Sequence, residues 1–133
     1  DQAMKVREVI KRTARPLGTA AAMLKTVETA VAAAGFPVMK VFNQPYAGET
    51  TDVMIGMHSV GNTGHGAGPS MAFFNPKRLT FELRPTNMIS VEFFAYTPLP
   101  EWGGARSGPW DRRLRPARQN GVASSPMRAN TCG

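Results

Sequence analysis

The sequence predicts an α+β fold: a helical hairpin packed on a mainly antiparallel sheet, followed by an irregular C-terminal tail. Three observations carry that expectation. Apolar residues recur at helical spacing twice before Gly35, they alternate at a spacing of two in several runs between residues 38 and 96, and neither period survives beyond Gly104.

In residues 2–14, Met4, Val6, Val9 and Ile10 are interleaved with Lys5, Arg7, Glu8, Lys11 and Arg12, an amphipathic first helix that Arg15, Pro16, Leu17 and Gly18 interrupt. Thr19 is placed to cap a second helix in which Met23, Leu24, Val27, Val31 and Ala34 share a face, and Gly35 supplies the stop. Joined by a short Pro/Gly turn, the two form the hairpin. Strands are then expected over residues 38–42, over a run in which Val53, Ile55 and Met57 alternate, over Leu79, Phe81 and Leu83, and over residues 88–96. Residues 43–48 break the first strand, a glycine-rich loop fills residues 61–69, and Pro85, Thr86 and Asn87 turn the chain into the fourth. In that strand Ser90, Glu92 and Phe94 fall on one face and Ile89, Val91 and Phe93 on the other.

A chain of 133 residues with 42% hydrophobic content suffices for one modest core. The formal charge of +7 would suit an anionic partner, but it is unevenly placed. Residues 1–102 hold 10 Lys+Arg against 8 Asp+Glu, whereas residues 103–133 hold six arginines and a single acid, Asp111. The body is nearly neutral. Cys132 is the one cysteine, so an intrachain disulfide is excluded and a reducing, cytoplasmic setting is expected. No apolar run reaches the length of a membrane span, and the sequence opens at Asp1 with no initiator methionine, which reads as a start inside a longer protein.

Chemistry concentrates on three side chains. His65 sits between Gly64 and Gly66, which let backbone approach a ligand and leave the imidazole uncrowded. Glu92 lies between Val91 and Phe93, where a buried carboxylate needs a cation, a donor or a surface position. Together they favour a shared metal over coincidence. His58, at the end of the strand before the loop and on the face opposite Met57, is open to two readings: a hydrogen bond to substrate beside the metal, or an ordinary structural one. Asn62 and Thr63 are candidates to orient the loop. Tyr46, Trp102 and Trp110 are candidates for a pocket, though single aromatics more often pack, and Met4, Met23, Met39, Met54, Met57, Met71 and Met88 follow the apolar periods as core filler.

The segment His58-Ser59-Val60-Gly61-Asn62-Thr63-Gly64-His65-Gly66-Ala67-Gly68-Pro69, followed by Leu83-Arg84-Pro85-Thr86-Asn87-Met88-Ile89-Ser90-Val91-Glu92-Phe93-Phe94, resembles the C-terminal half of the pita-bread metallopeptidases. That group contains methionine aminopeptidase, Xaa-Pro aminopeptidase, prolidase and the non-peptidase creatinase. Its Gly-His-Gly-x-Gly and Pro-x-Asn-x-x-Ser-x-Glu elements are the most specific, and the resemblance covers residues 1–104. It implies a strongly curved sheet as half of a pita-bread fold. It also implies metal ligation by His65 and Glu92, with Glu92 assisting proton transfer and His58 as a further catalytic candidate. In the family, two aspartates, one histidine and two glutamates hold two divalent ions of Mn, Co, Zn or Fe with a bridging water or hydroxide. The implied reaction is hydrolysis of N-terminal peptide bonds, often beside proline, so the implied partner is a peptide substrate.

Three departures shape the expectation. The paired aspartates belong before the hairpin, where this sequence has nothing, and Asp1 and Asp52 stand in other contexts. Many relatives carry a second histidine seven residues after the ligand histidine, where this chain has Ala72, so either His58 does that work or substrate choice differs. No glutamate follows Glu101, so the last ligand is missing. An inactive fragment of an Xaa-Pro type aminopeptidase, binding at most one ion weakly, is therefore expected. A non-catalytic pita-bread module that binds peptide or protein is the alternative.

Residues 105–133, rich in Arg, Gly, Pro, Ala and Ser and without lysine, read as a disordered tail translated out of frame. An arginine-rich arm for nucleic acid is the weaker reading. The open edges of half a domain invite a homo-oligomer, and no membrane association is expected.

Overall fold

Each helix forms where its period and its cap coincide. The computed structural model describes residues 1–15, 18–41, 45–47, 49–60, 67–72, 75–102 and 105–107. Helix α1, Gln2–Thr13, starts with the Asp1 carboxylate accepting from the Ala3 N–H at 2.9 Å and ends with Lys11 and Arg12 in its last turn, where cations favour the helix dipole. Helix α2, Ala20–Ala33, is capped by the Thr19 hydroxyl, which accepts from the Ala22 N–H at 3.3 Å. Its other end closes with the Phe36 N–H donating to the Val31 carbonyl and the Gly35 N–H to the Ala32 carbonyl. Gly35, at φ +88°, takes the left-handed conformation that this closure requires, and Phe36 and Val31 are both buried in the same cluster.

The sheet has the order β1 (Asp52–Ile55), β2 (Phe93–Leu99), β3 (Ala105–Ser107), with both pairings antiparallel. Asp52 faces Tyr96 and Ile55 faces Phe93. The same register continues past the end of β1, because Ser59 bridges Ile89, the Gly56 N–H donates to the Glu92 carbonyl, and the Val60 N–H donates to the Met88 carbonyl. On its other edge this segment is flanked by Val38, bridged in parallel to Val53, and by Ser70, bridged antiparallel to His58. Residues 51–59 are thus covered from both sides, and all of them are buried.

The helices pack on each other and on one face of the sheet. Val6, Ile10, Met23, Val27 and Val31 meet Val53, Ile55, Met57, Met71 and Leu83 in the main core. Each such side chain contributes on the order of 1.5–3 kcal/mol when fully buried. The opposite face carries a smaller cluster of Met39, Met54 and Tyr96, against which Tyr46 and Phe94 pack.

Several strand expectations need correction. Of residues 38–42 only Val38 bridges, and Phe42 lies outside the described residues. Leu79 belongs to a 3-10 turn, Pro76–Thr80, and Glu82 makes only an isolated bridge to Thr19. Pro76 presets φ for a helical turn, and that local preference overrides the alternation of Leu79, Phe81 and Leu83. The strand expected over 88–96 becomes regular only at Phe93 and runs on to Leu99. Ala105–Ser107, expected to open the irregular tail, is a strand: it pairs with Thr97–Leu99 through backbone, which needs no side-chain period. Residues 108–133, with Trp110, lie outside the described residues. Met23, Met39, Met54, Met57 and Met71 are buried as expected, but Met4 and Met88 are 43% and 63% exposed, and Ala34 is an exposed cap. No helix among the described residues is long and apolar enough to cross a membrane.

Candidate functional site

The site is built on the face of the β1–β2 ladder that points away from the helices. With a side-chain period of two, Asp52, Met54, Gly56 and His58 share that face with Ser90, Glu92, Phe94 and Tyr96 from the facing segment. His58 stands directly opposite Ser90 on one side and Ser70 on the other, so three polar side chains cross the sheet in a row. Burial on both flanks makes the imidazole an interior group with only 7% of its side chain exposed.

Ser90 holds His58 at three points. Its hydroxyl oxygen lies 2.7 Å from Nδ1, accepts from the His58 N–H at 3.3 Å, and reaches the His58 carbonyl at 3.1 Å. The Ser90 N–H also donates to that carbonyl at 2.9 Å. Half of the expected ladder pair is therefore made by a side chain instead of the Ser90 carbonyl, which is why the strand is irregular here and becomes regular only three residues on. Ser70, buried, accepts from the Ala72 N–H at 3.2 Å, so it is engaged with its own turn.

Glu92 lies diagonally across from His58, with Oε2 3.5 Å from Nε2. Its side chain is 50% exposed, and Val91 is exposed too. Of the cation, donor or surface position that the sequence left open for this carboxylate, the surface position, set aside there because of the aromatic neighbours, is the one it takes: the helices cover the other face, and nothing in the main core reaches this one. The carboxylate is open to a cation from solvent.

The structure brings together His58 and Glu92, and adds Ser90, which the sequence reading placed on the same face without assigning it a role. The signal was available in the register, since a hydroxyl opposite a strand-end histidine is a ready partner for its ring. His65, Asn62 and Thr63 lie outside the described residues. Tyr46 packs on Tyr96 with ring centroids 5.8 Å apart, the packing role expected for a single aromatic. Asp52, six residues before His58 on the same strand and so roughly 20 Å away, accepts from the Ala47 N–H at 3.0 Å and ties down a loop. No group of three His, Cys, Asp or Glu side chains suited to a metal occurs among the described residues.

Burial, with a smaller contribution from the neighbouring Tyr46, pushes the Tyr96 hydroxyl up to about 12. That end of the face is closed, with Tyr96 and the facing Asp52 both buried. No protein-family model matches the chain, and neither a curated protein nor a solved structure matches it.

Proposed function

We propose that the chain is the second half of a pita-bread metallopeptidase of the Xaa-Pro aminopeptidase kind, with His65 and Glu92 as two of five ligands to paired divalent cations. The observation that carries this reading is the Gly-His-Gly-x-Gly element followed at strand spacing by Pro-x-Asn-x-x-Ser-x-Glu, ending on Glu92. Two features of the structure support it. The Glu92 carboxylate is half-exposed on a polar face with an imidazole beside it, and two helices pack against the other face of an antiparallel sheet.

The described residues fit such a centre in part. Glu92 supplies a carboxylate where a cation can reach it, and Pro85 to Asn87 anchor the approach to it, with the Asn87 side-chain oxygen accepting from the Arg84 N–H at 2.7 Å. When bound, paired cations would generate a nucleophile from water near neutral pH and polarise the peptide carbonyl. His65 and Glu92 alone leave most of each coordination sphere to solvent, so the isolated chain holds at most one ion weakly and turns over no peptide.

Calorimetric titration with Mn²⁺ and Co²⁺ tests the ligand assignment. Weak binding of one ion, abolished by His65→Ala and by Glu92→Gln, is the expected result, and absence of binding to the unaltered chain overturns it. Hydrolysis of an Xaa-Pro peptide by the chain with either ion would overturn the claim of inactivity. Coding DNA that contains the paired aspartates upstream, and a glutamate-bearing strand in another frame from codon 104 onward, would complete the ligand set.

A further inference from the structure

The segment that leads into β2 has one edge inside the sheet and one edge in the open. Residues 88, 90 and 92 turn their backbone groups inward: the Val60 N–H donates to the Met88 carbonyl, the Ser90 N–H to the His58 carbonyl and the Gly56 N–H to the Glu92 carbonyl. Alternation along a strand then turns the N–H and C=O groups of Ile89, Val91 and Phe93 outward. Those of Ile89 and Val91 have no backbone partner among the described residues. Apolar side chains are exposed along this edge, Met88 at 63% and Val91 at 38%. An open edge of that kind is a template for another strand. Further along the same edge Thr97–Leu99 already pairs antiparallel with Ala105–Ser107, so the edge takes an antiparallel strand where one is offered. In that register the residue opposite Ala95 is Pro109, which has no N–H for an outward-facing carbonyl. The chain's own sequence thus offers no full ladder pair at the next outward position.

We propose that residues 89–93 pair antiparallel with the same edge of a second copy of the chain, about a twofold axis at Val91. A twofold axis makes the edge its own partner, so the register is set by which residues meet across it. With Val91 opposite Val91, Ile89 meets Phe93, Met88 meets Phe94 and Ser90 meets Glu92 of the second copy, and about six backbone bonds form. One ladder step in one direction sets Glu92 against Glu92, like charges directly opposite. One step in the other direction shortens the ladder, because it brings Phe93 against Asn87, whose N–H is held in a turn by the Arg84 carbonyl at 2.9 Å. The Val91 register is therefore the longest that keeps the two carboxylates apart. It joins the two sheets into one and covers Met88, and it depends on neither His65 nor a metal at Glu92.

Sedimentation equilibrium of the full chain over a range of concentrations, with no metal added, should show monomer and dimer in exchange. Val91→Lys sets two ammonium groups together on the axis, and Val91→Pro removes an outward N–H that the fold does not use. Each should give a monomer with the circular dichroism of the unaltered chain. The register is read by cross-linking with oxidised glutathione in a Cys132→Ser background. Val91→Cys should yield a disulfide-linked dimer and Met88→Cys should not, since residue 88 lies about 20 Å from its own copy in this register. A monomer at every concentration overturns the proposal, whether the edge then stays open or is covered by residues 108–133. So does a dimer that both Val91→Lys and Val91→Pro leave intact, or cross-linking of Met88→Cys as readily as of Val91→Cys.

Discussion

The two faces of the β1–β2 ladder are made by the same residues in strict alternation, yet they behave as different materials. On the helix side, Val53, Ile55 and Met57 join a core closed by Val6, Ile10, Val27 and Val31. On the other side, one end is sealed by Met54 and Tyr96 while the far end carries His58, Ser90 and Glu92, half open to solvent. One face holds the fold together and the other is free to carry chemistry. The register that separates them is kept mainly by backbone bonds, so changes on one face should leave the other nearly untouched.

The largest effect is expected on the helix side. Ile55→Ala removes a side chain that is 3% exposed and part of the main core, and should cost about 2–5 kcal/mol in equilibrium denaturation. A loss under about 1 kcal/mol would show that this face is not the main core. The His58 ring signal should keep its position in the folded fraction, and a large shift there would break the claim that the faces are independent.

The sealed end of the polar face is tested by alkali. Tyr96 has its hydroxyl pushed up to about 12, against an ordinary value near 10. Below pH 10 neither state is ionised and its contribution is fully present. Between pH 10 and 12 the unfolded chain releases the proton and the folded chain does not, so stability falls with rising pH, by at most about 3 kcal/mol. Lysines titrate in the same window, so the measured quantity is the difference between the unaltered protein and Tyr96→Phe. Parallel stability curves for the two would show that the hydroxyl is not shielded.

Much of the helical half was legible in the sequence because its signals are local. Thr19 as cap, Gly35 as stop and the Met23, Val27, Val31 stripe each act within a turn or two of themselves, and all appear in the structure. The strands were less legible because pairing depends on distant partners. Leu79, Phe81 and Leu83 alternate convincingly, yet Leu79 folds into the turn after Pro76 and Glu82 makes only an isolated bridge, while Ala105–Ser107 shows no pattern and still pairs. At the site, the shared face of Ser90 and Glu92 followed from the period of two. That His58 would meet them did not, since it required knowing that residue 58 lies opposite residue 90. The apolar neighbours of Glu92 were misleading for the same reason: Phe93 points to the helices, and the solvent exposure of the intervening face is a property of the packing and not of the strand.

The stop of α2 provides a smaller test that touches neither face. Gly35→Ala places a Cβ in open space, with no atom within 4 Å, so the whole penalty is the left-handed backbone at φ +88°. About 1–2 kcal/mol is expected, measured as a shift in the denaturation midpoint at unchanged slope. A neutral result would mean that the closure made by Phe36 and Val31 tolerates another geometry.

The smallest stability effect should come from the residue with the largest proposed role. Glu92→Gln preserves shape and half of its surface is already in water, so its polar contact with His58 is screened and should contribute less than about 1 kcal/mol. Gly56, opposite Glu92, leaves the side chain only ordinary contacts, with its Cγ 3.9 Å from where a Cβ would sit, so no packing is lost either. A folded domain of unchanged stability that no longer binds Mn²⁺ would separate function from fold on a single face. Were Glu92→Gln instead to destabilise the protein by as much as Ile55→Ala, the carboxylate would be a structural member of a polar cluster and the difference between the two faces would disappear.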